Sequence, residues 1–113
     1  MKYLLMVYRD ETRWEVMPAH ERAAFEDACR VSEEDLTRSL HLIGVQRLEN
    51  NPAITIKIVD GHPSFNSGPA AGEQNQLIQL LFIQARDLNA AIQIASQMPH
   101  ARAGTIEVRP VLG

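Results

Sequence analysis

The feature that most constrains the fold is a run of residues at positions 77–83 that is apolar on both sides of a strand. The run has the length of a strand rather than that of a helix. Side chains alternate between the two faces of a strand. Alternation predicts one face with Ile78, Leu80 and Phe82, and the opposite face with Leu77, Leu81 and Ile83. A strand of this kind needs a cover on each face. We expect helices on one face and a second copy of the chain on the other.

The remaining pattern supplies the other elements of an α+β domain. Strands are predicted over residues 3–8, 45–49, 54–58, 62–66 and 105–109, and helices over 18–43 and 88–98. Gly44 is expected to cap the long helix, and Asp60-Gly61 to form a hairpin turn. Alternating isoleucines at 54, 56 and 58 predict a half-buried strand. The order predicts a ferredoxin-like βαββαβ sandwich with an antiparallel sheet, two helices on one face and the other face free to dimerise.

Composition indicates one globular domain of 113 residues, of which 45% are hydrophobic. The net charge of -3 argues against a nucleic-acid partner, which a basic patch would bind. Cys29 is the single cysteine of the sequence, so no disulfide forms within the chain, and we expect a small buried residue there. No apolar run reaches the ~18 residues of a membrane span. We expect a soluble cytoplasmic protein without membrane contact.

Three segments carry a family resemblance: residues 1–8 at the start, residues 68–74 in a loop, and residues 104–111 at the end. Their order and spacing cover essentially the whole chain. On these segments the chain resembles the YCII-related superfamily, in its DGPF-domain branch. The resemblance implies a ferredoxin-like fold, commonly a dimeric α/β barrel, with a cleft near the loop and the junction of sheet and helix. It implies little about chemistry, although a few relatives use a His/Asp pair on small molecules, including the dechlorination of aromatic compounds.

The loop departs from the family pattern in one informative place. Ser67-Gly68-Pro69-Ala70 stands where the family has Asp-Gly-Pro-Phe. Ser67 cannot supply the charge of the Asp, which weakens a catalytic role for the start of the loop. Glu73 matches the family's later acidic position. We therefore expect Ser67, Gly68 and Pro69 to contribute to a ligand pocket and Glu73 to orient or assist a reaction.

His20 is the candidate acid/base residue. It follows Pro18-Ala19 at the predicted start of the long helix, and relatives with the His/Asp chemistry carry a His after a Pro-Ala step. The ordinary pKa of a His, ~6.5, suits proton transfer near neutral pH, and a helix N-terminus favours the neutral base. The alternative interpretation is an exposed residue of the first turn.

Trp14 and several arginines are candidates to bind a ligand. Trp14 precedes the predicted helix, where it can line a cleft, stack on an aromatic ligand or pack into the core. Arg9 and Arg13 can hold a carboxylate or phenolate, or they can be solvated surface residues.

Arg109 is predicted on the face of its strand opposite Ile106 and Val108. If that face forms the dimer, Arg109 is an interface or cleft residue. Its expected partner is a carboxylate, either Glu107 of the other subunit or Glu73.

The other histidines give no metal motif, and we expect neither a metal nor a cofactor. His41 and His100 are expected at the surface near helix ends, and His62 in the hairpin. Two functions stay open. The first is a small-molecule enzyme in which His20 and Glu73 act on a compact or aromatic substrate. The second is a non-catalytic homodimeric module that binds a metabolite or a partner protein.

Overall fold

The computed structural model describes residues 1–49, 53–68 and 75–113. Its elements, in chain order, are β1 (Lys2–Asp10), α1 (Glu11–Val16), α2 (Ala19–Arg38), β2 (Leu42–Arg47), β3 (Ile54–Val59), β4 (His62–Ser67), β5 (Asn75–Gln84), α3 (Leu88–Gln97), a 3₁₀ turn (Pro99–Ala101) and β6 (Gly104–Pro110). The protein is therefore α+β, as the sequence predicts. Within these ranges, no helix combines the length and the apolar character that a membrane crossing requires.

Four strands form one antiparallel sheet in the order β2-β5-β1-β6. In each half of the chain, the two strands joined through a helix are separated in the sheet by one antiparallel strand. This arrangement is compatible with the predicted ferredoxin-like fold. β3 and β4 pair with each other in a separate two-stranded sheet.

The core lies on one face of the four-stranded sheet. On β1 and β5, five large side chains are at most 2% exposed: Tyr3, Leu5, Val7, Leu81 and Ile83. The helices cover this face with Ala91, Ala95 and Met98 from the α3 region and Leu36 from α2. The opposite face presents side chains of Leu4, Met6, Leu80 and Phe82, which stay partly exposed. The two apolar faces of β5 are thus confirmed, and helices cover one of them.

The long helix ends earlier than its pattern predicts. α2 stops at Arg38, and Leu40 adopts a left-handed conformation with φ 67°. Leu40 is 82% exposed, and Ile43 and Gly44 belong to strand β2. The predicted end at 43 and the cap at Gly44 are therefore wrong. The chain must turn back by Leu40 because β2 pairs with β5, and this pairing is tertiary information.

A short helix, α1, follows β1 directly, in a segment for which no helix was predicted. Asp10 caps α1, since its carboxylate accepts hydrogen bonds from the backbone N–H groups of Thr12 and Arg13. An acidic residue directly before a turn of helix formers is a recognisable N-cap. This helix places Trp14 close to α2.

The hairpin turn is confirmed, but the burial of its strand is not. Asp60 and Gly61 both have positive φ, which is the conformation of a tight hairpin turn. The expected half-buried isoleucines are more than half exposed: Ile54, Ile56 and Ile58. The alternation does specify a strand, yet this strand joins a separate hairpin sheet instead of the main sheet. On α3, Leu88 and Ile92 are likewise exposed.

Candidate functional site

A cleft of about 710 Å³ lies between the sheet and the middle of α2, whose residues 25–33 contribute to its lining. Its walls include the side chains of Val7, Trp14, Phe25 and Ile78, which are large and apolar. A cavity of this size with mostly apolar walls is typical of a small-molecule site. Polar groups converge at its inner end, and they come from four different elements of the fold.

A bulge in β5 helps to build this inner end. Val7 of β1 pairs with Gln79, and the next residue, Tyr8, pairs with Leu77. Ile78 is therefore the extra residue of the bulge. Because of it, Ile78 packs against the core and lines the cleft together with Gln79. The simple alternation that placed Ile78 with Leu80 on the opposite face is wrong at this point.

Glu33 is the centre of the polar cluster. Its Oε2 accepts hydrogen bonds from Nε2 of His100 at 3.0 Å and from Nε2 of Gln79 at 3.2 Å. Its Oε1 accepts one from the guanidinium of Arg47 at 2.9 Å. The Glu33 residue is 8% exposed and His100 is 4% exposed, so the pair is nearly withdrawn from water while both members line the cleft.

The surroundings keep Glu33 ionised. Burial is the largest single effect and disfavours the carboxylate, but the hydrogen bonds from His100 and Gln79 and the charge of Arg47 together outweigh it. The net result is a lowered pKa for Glu33. An ionised carboxylate only accepts hydrogen bonds, so Nε2 of His100 carries the proton that it donates to Glu33. Nδ1 of His100 is buried and has no hydrogen-bond partner in the described chain.

Cys29 is buried beside this cluster and also lines the cleft. Burial and the nearby charge of Glu33 raise the pKa of its thiol to about 11. The thiolate is the reactive form of cysteine, and it is scarce at neutral pH here. The prediction of a small buried residue is confirmed, and the geometry gives no support to a nucleophilic role.

Trp14 forms one wall of the cleft and packs among charged and aromatic neighbours. The edge of Phe25 approaches it with ring centroids 6.0 Å apart and an interplanar angle of 67°. The guanidinium of Arg9 lies 4.6 Å from the ring centroid, and that of Arg22 lies 5.9 Å away. Both distances fit cation–π contacts. Of the residues predicted to bind a ligand, the structure places Trp14 and Arg9 in the cleft.

The other predicted site residues lie apart from the cleft or outside the described residues. His20 is exposed in the first turn of α2 and does not line the cleft. Ser67 ends β4, and Gly68 follows it with φ 108° and donates its N–H to the carbonyl of Ala53. Pro69 and Glu73 lie outside the described residues. Their predicted roles, like that of His20, stay predictions.

Arg109 lies on the sheet face opposite the helices, as its alternation with Ile106 and Val108 predicts. Its guanidinium bonds Glu107 of the same chain. The carboxylate that it bonds in the described chain is thus on its own strand, whereas Glu107 of the other subunit or Glu73 was expected. Arg109 is exposed and does not line the cleft.

Sequence reasoning missed the three buried polar residues at the inner end of the cleft, which are Glu33, Gln79 and His100. His100 was expected at the surface, which is wrong, because the 3₁₀ turn after α3 directs it into the interior. Two signals were available. Gln79 interrupts an otherwise apolar run, and Glu33 lies one turn after Cys29 on the stripe of α2 that faces the sheet.

The fold and the cleft define a small α+β protein with a cavity of about 710 Å³ between its sheet and its long helix. The chain belongs to the YCII-related domain family, whose profile matches residues 1–113 and so spans the whole chain. A comparison with curated proteins finds no match. In the part of the chain that the structure describes, no group of three His, Cys, Asp or Glu side chains is placed to hold a metal ion.

Proposed function

We propose that this protein is a small-molecule enzyme in which the Glu33–His100 pair exchanges a proton with a compact substrate held in the cleft. The observation that carries the proposal is a carboxylate–imidazole pair, 3.0 Å apart, at the inner end of a cavity of small-molecule size. Titratable groups with perturbed pKa values in a cleft are typical of functional sites. Imidazole and carboxylate are the side chains most used for proton transfer.

Glu33 is the member of the pair that meets the substrate. A carboxylate has about four acceptor positions, and the described contacts use two on Oε2 and one on Oε1. Oε1 therefore keeps a position for an O–H or N–H of the substrate, or for its proton. His100 and Gln79 act on the other oxygen, where they fix the orientation of the carboxylate and share its charge.

The walls of the cleft support a compact, largely apolar substrate. Three of the lining side chains have no hydrogen-bonding atoms: Val7, Phe25 and Ile78. The side chain of Trp14 adds a flat aromatic ring. An aromatic compound fits such walls because ring faces and edges pack well against each other. A substrate of this kind would meet Glu33 at the inner end of the cleft, and other charged side chains that line it, among them Arg9 and Glu49, along its walls.

The test is a comparison of Glu33→Gln with Glu49→Gln. Glu49 also lines the cleft, but it is exposed and forms no ion pair in the described chain, so its variant is the matched control. A thermal-shift screen of a metabolite library on the wild-type protein supplies the ligands, since a ligand at 100 times its Kd stabilises by about 2.7 kcal/mol. Each ligand is then assayed for conversion by NMR.

We expect Glu33→Gln to lower turnover at least ~100-fold, the usual effect of losing a general acid or base, and Glu49→Gln to leave it within about twofold. The variant His20→Ala distinguishes catalysis by Glu33 from catalysis by His20, to which the family resemblance assigns the chemistry. Loss of turnover in His20→Ala with full turnover in Glu33→Gln would overturn our proposal. Binding of ligands without any conversion would support the non-catalytic module instead.

We also propose that the open face of the four-stranded sheet binds a second copy of the chain. Leu4, Met6, Leu80 and Phe82 form an apolar strip there, opposite the face that the helices cover. An isologous dimer would bury this strip against itself. The family resemblance points to the same assembly.

Met6→Glu is expected to convert this dimer into a monomer of 12.7 kDa, measured by light scattering at micromolar concentration. Met6 lies on a central strand directly opposite Glu107 of β6, so the new carboxylate adds repulsion as well as polarity. Ile92→Glu is the control, because Ile92 is 46% exposed on α3, away from this face. A wild-type protein that is already monomeric would contradict the proposal.

A further inference from the structure

Arg22 is a partly buried arginine whose guanidinium has no acceptor in the described chain. Its Nε is screened from solvent and forms no hydrogen bond there. The sequence contains nine arginines, and six of them form an ion pair with a carboxylate: Arg9, Arg30, Arg38, Arg47, Arg86 and Arg109. Arg22 is thus set apart from most arginines of this protein by both its burial and its missing counterion.

Arg13 is a second arginine that forms no ion pair in the described chain. Nη2 of Arg13 donates a hydrogen bond to the backbone carbonyl of Arg102 at 3.2 Å, which links α1 to the turn before β6. Arg13 directly precedes Trp14 in α1, and Arg22 lies over the ring of Trp14. Arg22 is therefore the guanidinium that the structure places over the ring of Trp14 without a counterion in the described chain.

The positive charge of Arg22 has no compensating negative charge in the described chain. A guanidinium that leaves water needs acceptors for its five N–H groups, and the face of Trp14 offsets only part of that cost. Arg9 approaches the same ring, but Glu11 balances its charge. An oxyanion would supply what is missing, because a carboxylate or phosphate accepts two parallel hydrogen bonds from one guanidinium.

We infer that Arg22 forms a binding site for the carboxylate or phosphate group of a small anionic ligand beside Trp14. The site shares Trp14 with the cleft, but Arg22 does not line the cleft and the inference does not depend on the Glu33–His100 pair. A ligand with an apolar body next to its anionic group suits the position, because Trp14 offers the body a ring to pack on.

Trp14 reports on this site directly, because it is the single tryptophan of the sequence. Its fluorescence is titrated with sodium benzoate and, separately, with inorganic phosphate, with sodium chloride holding the ionic strength constant so that general screening does not change. We expect a saturable change with at least one probe. Tighter binding of benzoate identifies a carboxylate ligand with an apolar body, and tighter binding of phosphate identifies a phosphorylated one.

Arg22→Gln is expected to weaken this binding at least tenfold, and Arg22→Lys to weaken it less, since lysine keeps the charge but not the paired donors. The control is Arg38→Gln on the same helix, where Arg38 is exposed and pairs with Asp35. Thermal melting checks that each variant is folded. Glu33→Gln must leave the anion affinity unchanged, which separates this inference from the proposed reaction. No saturable change with either probe, or equal affinity in Arg22→Gln and wild type, would overturn it.

Discussion

Gly104→Ala is expected to destabilise the protein by about 3 kcal/mol, at the upper end of the usual cost of overpacking. A Cβ at this position would lie 1.9 Å from the carbonyl oxygen of Tyr8 and 3.2 Å from Cα of Arg9. Both atoms belong to the backbone of β1, so no side-chain rotation relieves the clash. The strands β1 and β6 would have to separate where Arg9 pairs with Gly104.

Gly44→Ala is the matched control for this experiment. Gly44 also lies in a strand of the same sheet, but its Cβ would meet the side chain of Phe82 at 3.7 Å, which is ordinary van der Waals contact. We expect a change of less than about 1 kcal/mol for it. The free energy of unfolding is measured in urea for both variants. Equal effects of the two substitutions would show that the close approach of β1 and β6 is not what requires a glycine at 104.

Glu33→Gln is expected to destabilise the folded protein by about 2–3 kcal/mol at neutral pH. The amide keeps the shape of the side chain but removes the charge that His100, Gln79 and Arg47 share. One of the new N–H groups also points toward donors, because all three partners of Glu33 donate. The loss is large because the cluster is buried, and a buried donor without an acceptor cannot turn to water.

The effect of Glu33→Gln depends on pH with a defined sign. The pKa of Glu33 is lower in the folded protein than its ordinary value, so folding is favoured by its ionised form. This contribution is fully present above the ordinary Glu pKa of about 4.3 and is lost as the pH falls through the lower, folded value. We expect the difference in unfolding free energy between wild type and Glu33→Gln to narrow in acid. Urea unfolding from pH 7 to pH ~3 measures it, with Glu49→Gln as the control, and a difference that stays constant would contradict the assignment.

Much of the fold could be predicted from local chemistry. The side chain of Asp87 caps α3 by accepting from the N–H of Ala90, as its position before the helix predicts. Asp60-Gly61 forms the expected turn, and Leu81 and Ile83 occupy the face assigned to them by alternation. These features depend on neighbours within a few residues, so the sequence displays them directly.

The candidate site could be predicted only in part, because its groups are brought together over long separations. Glu33 and Gln79 are 46 positions apart, and Glu33 and His100 are 67 apart. The bulge turns Ile78 toward the core and the cleft, and nothing in the alternation of the run predicts a bulge. Trp14 was identified because its type and its place before a helix are informative by themselves.

The sequence by itself determined the α+β class, the two apolar faces of the strand at 77–83, the hairpin turn and membership of the YCII-related family. Hydrophobic periodicity and turn chemistry are local, and they act before the chain is compact. Tertiary structure alone decided where α2 ends, which isoleucines stay exposed, and that Glu33 and His100 meet. The reason is physical: a carboxylate and an imidazole acquire their shared proton and their burial only when the sheet, α2 and the turn before β6 close around them.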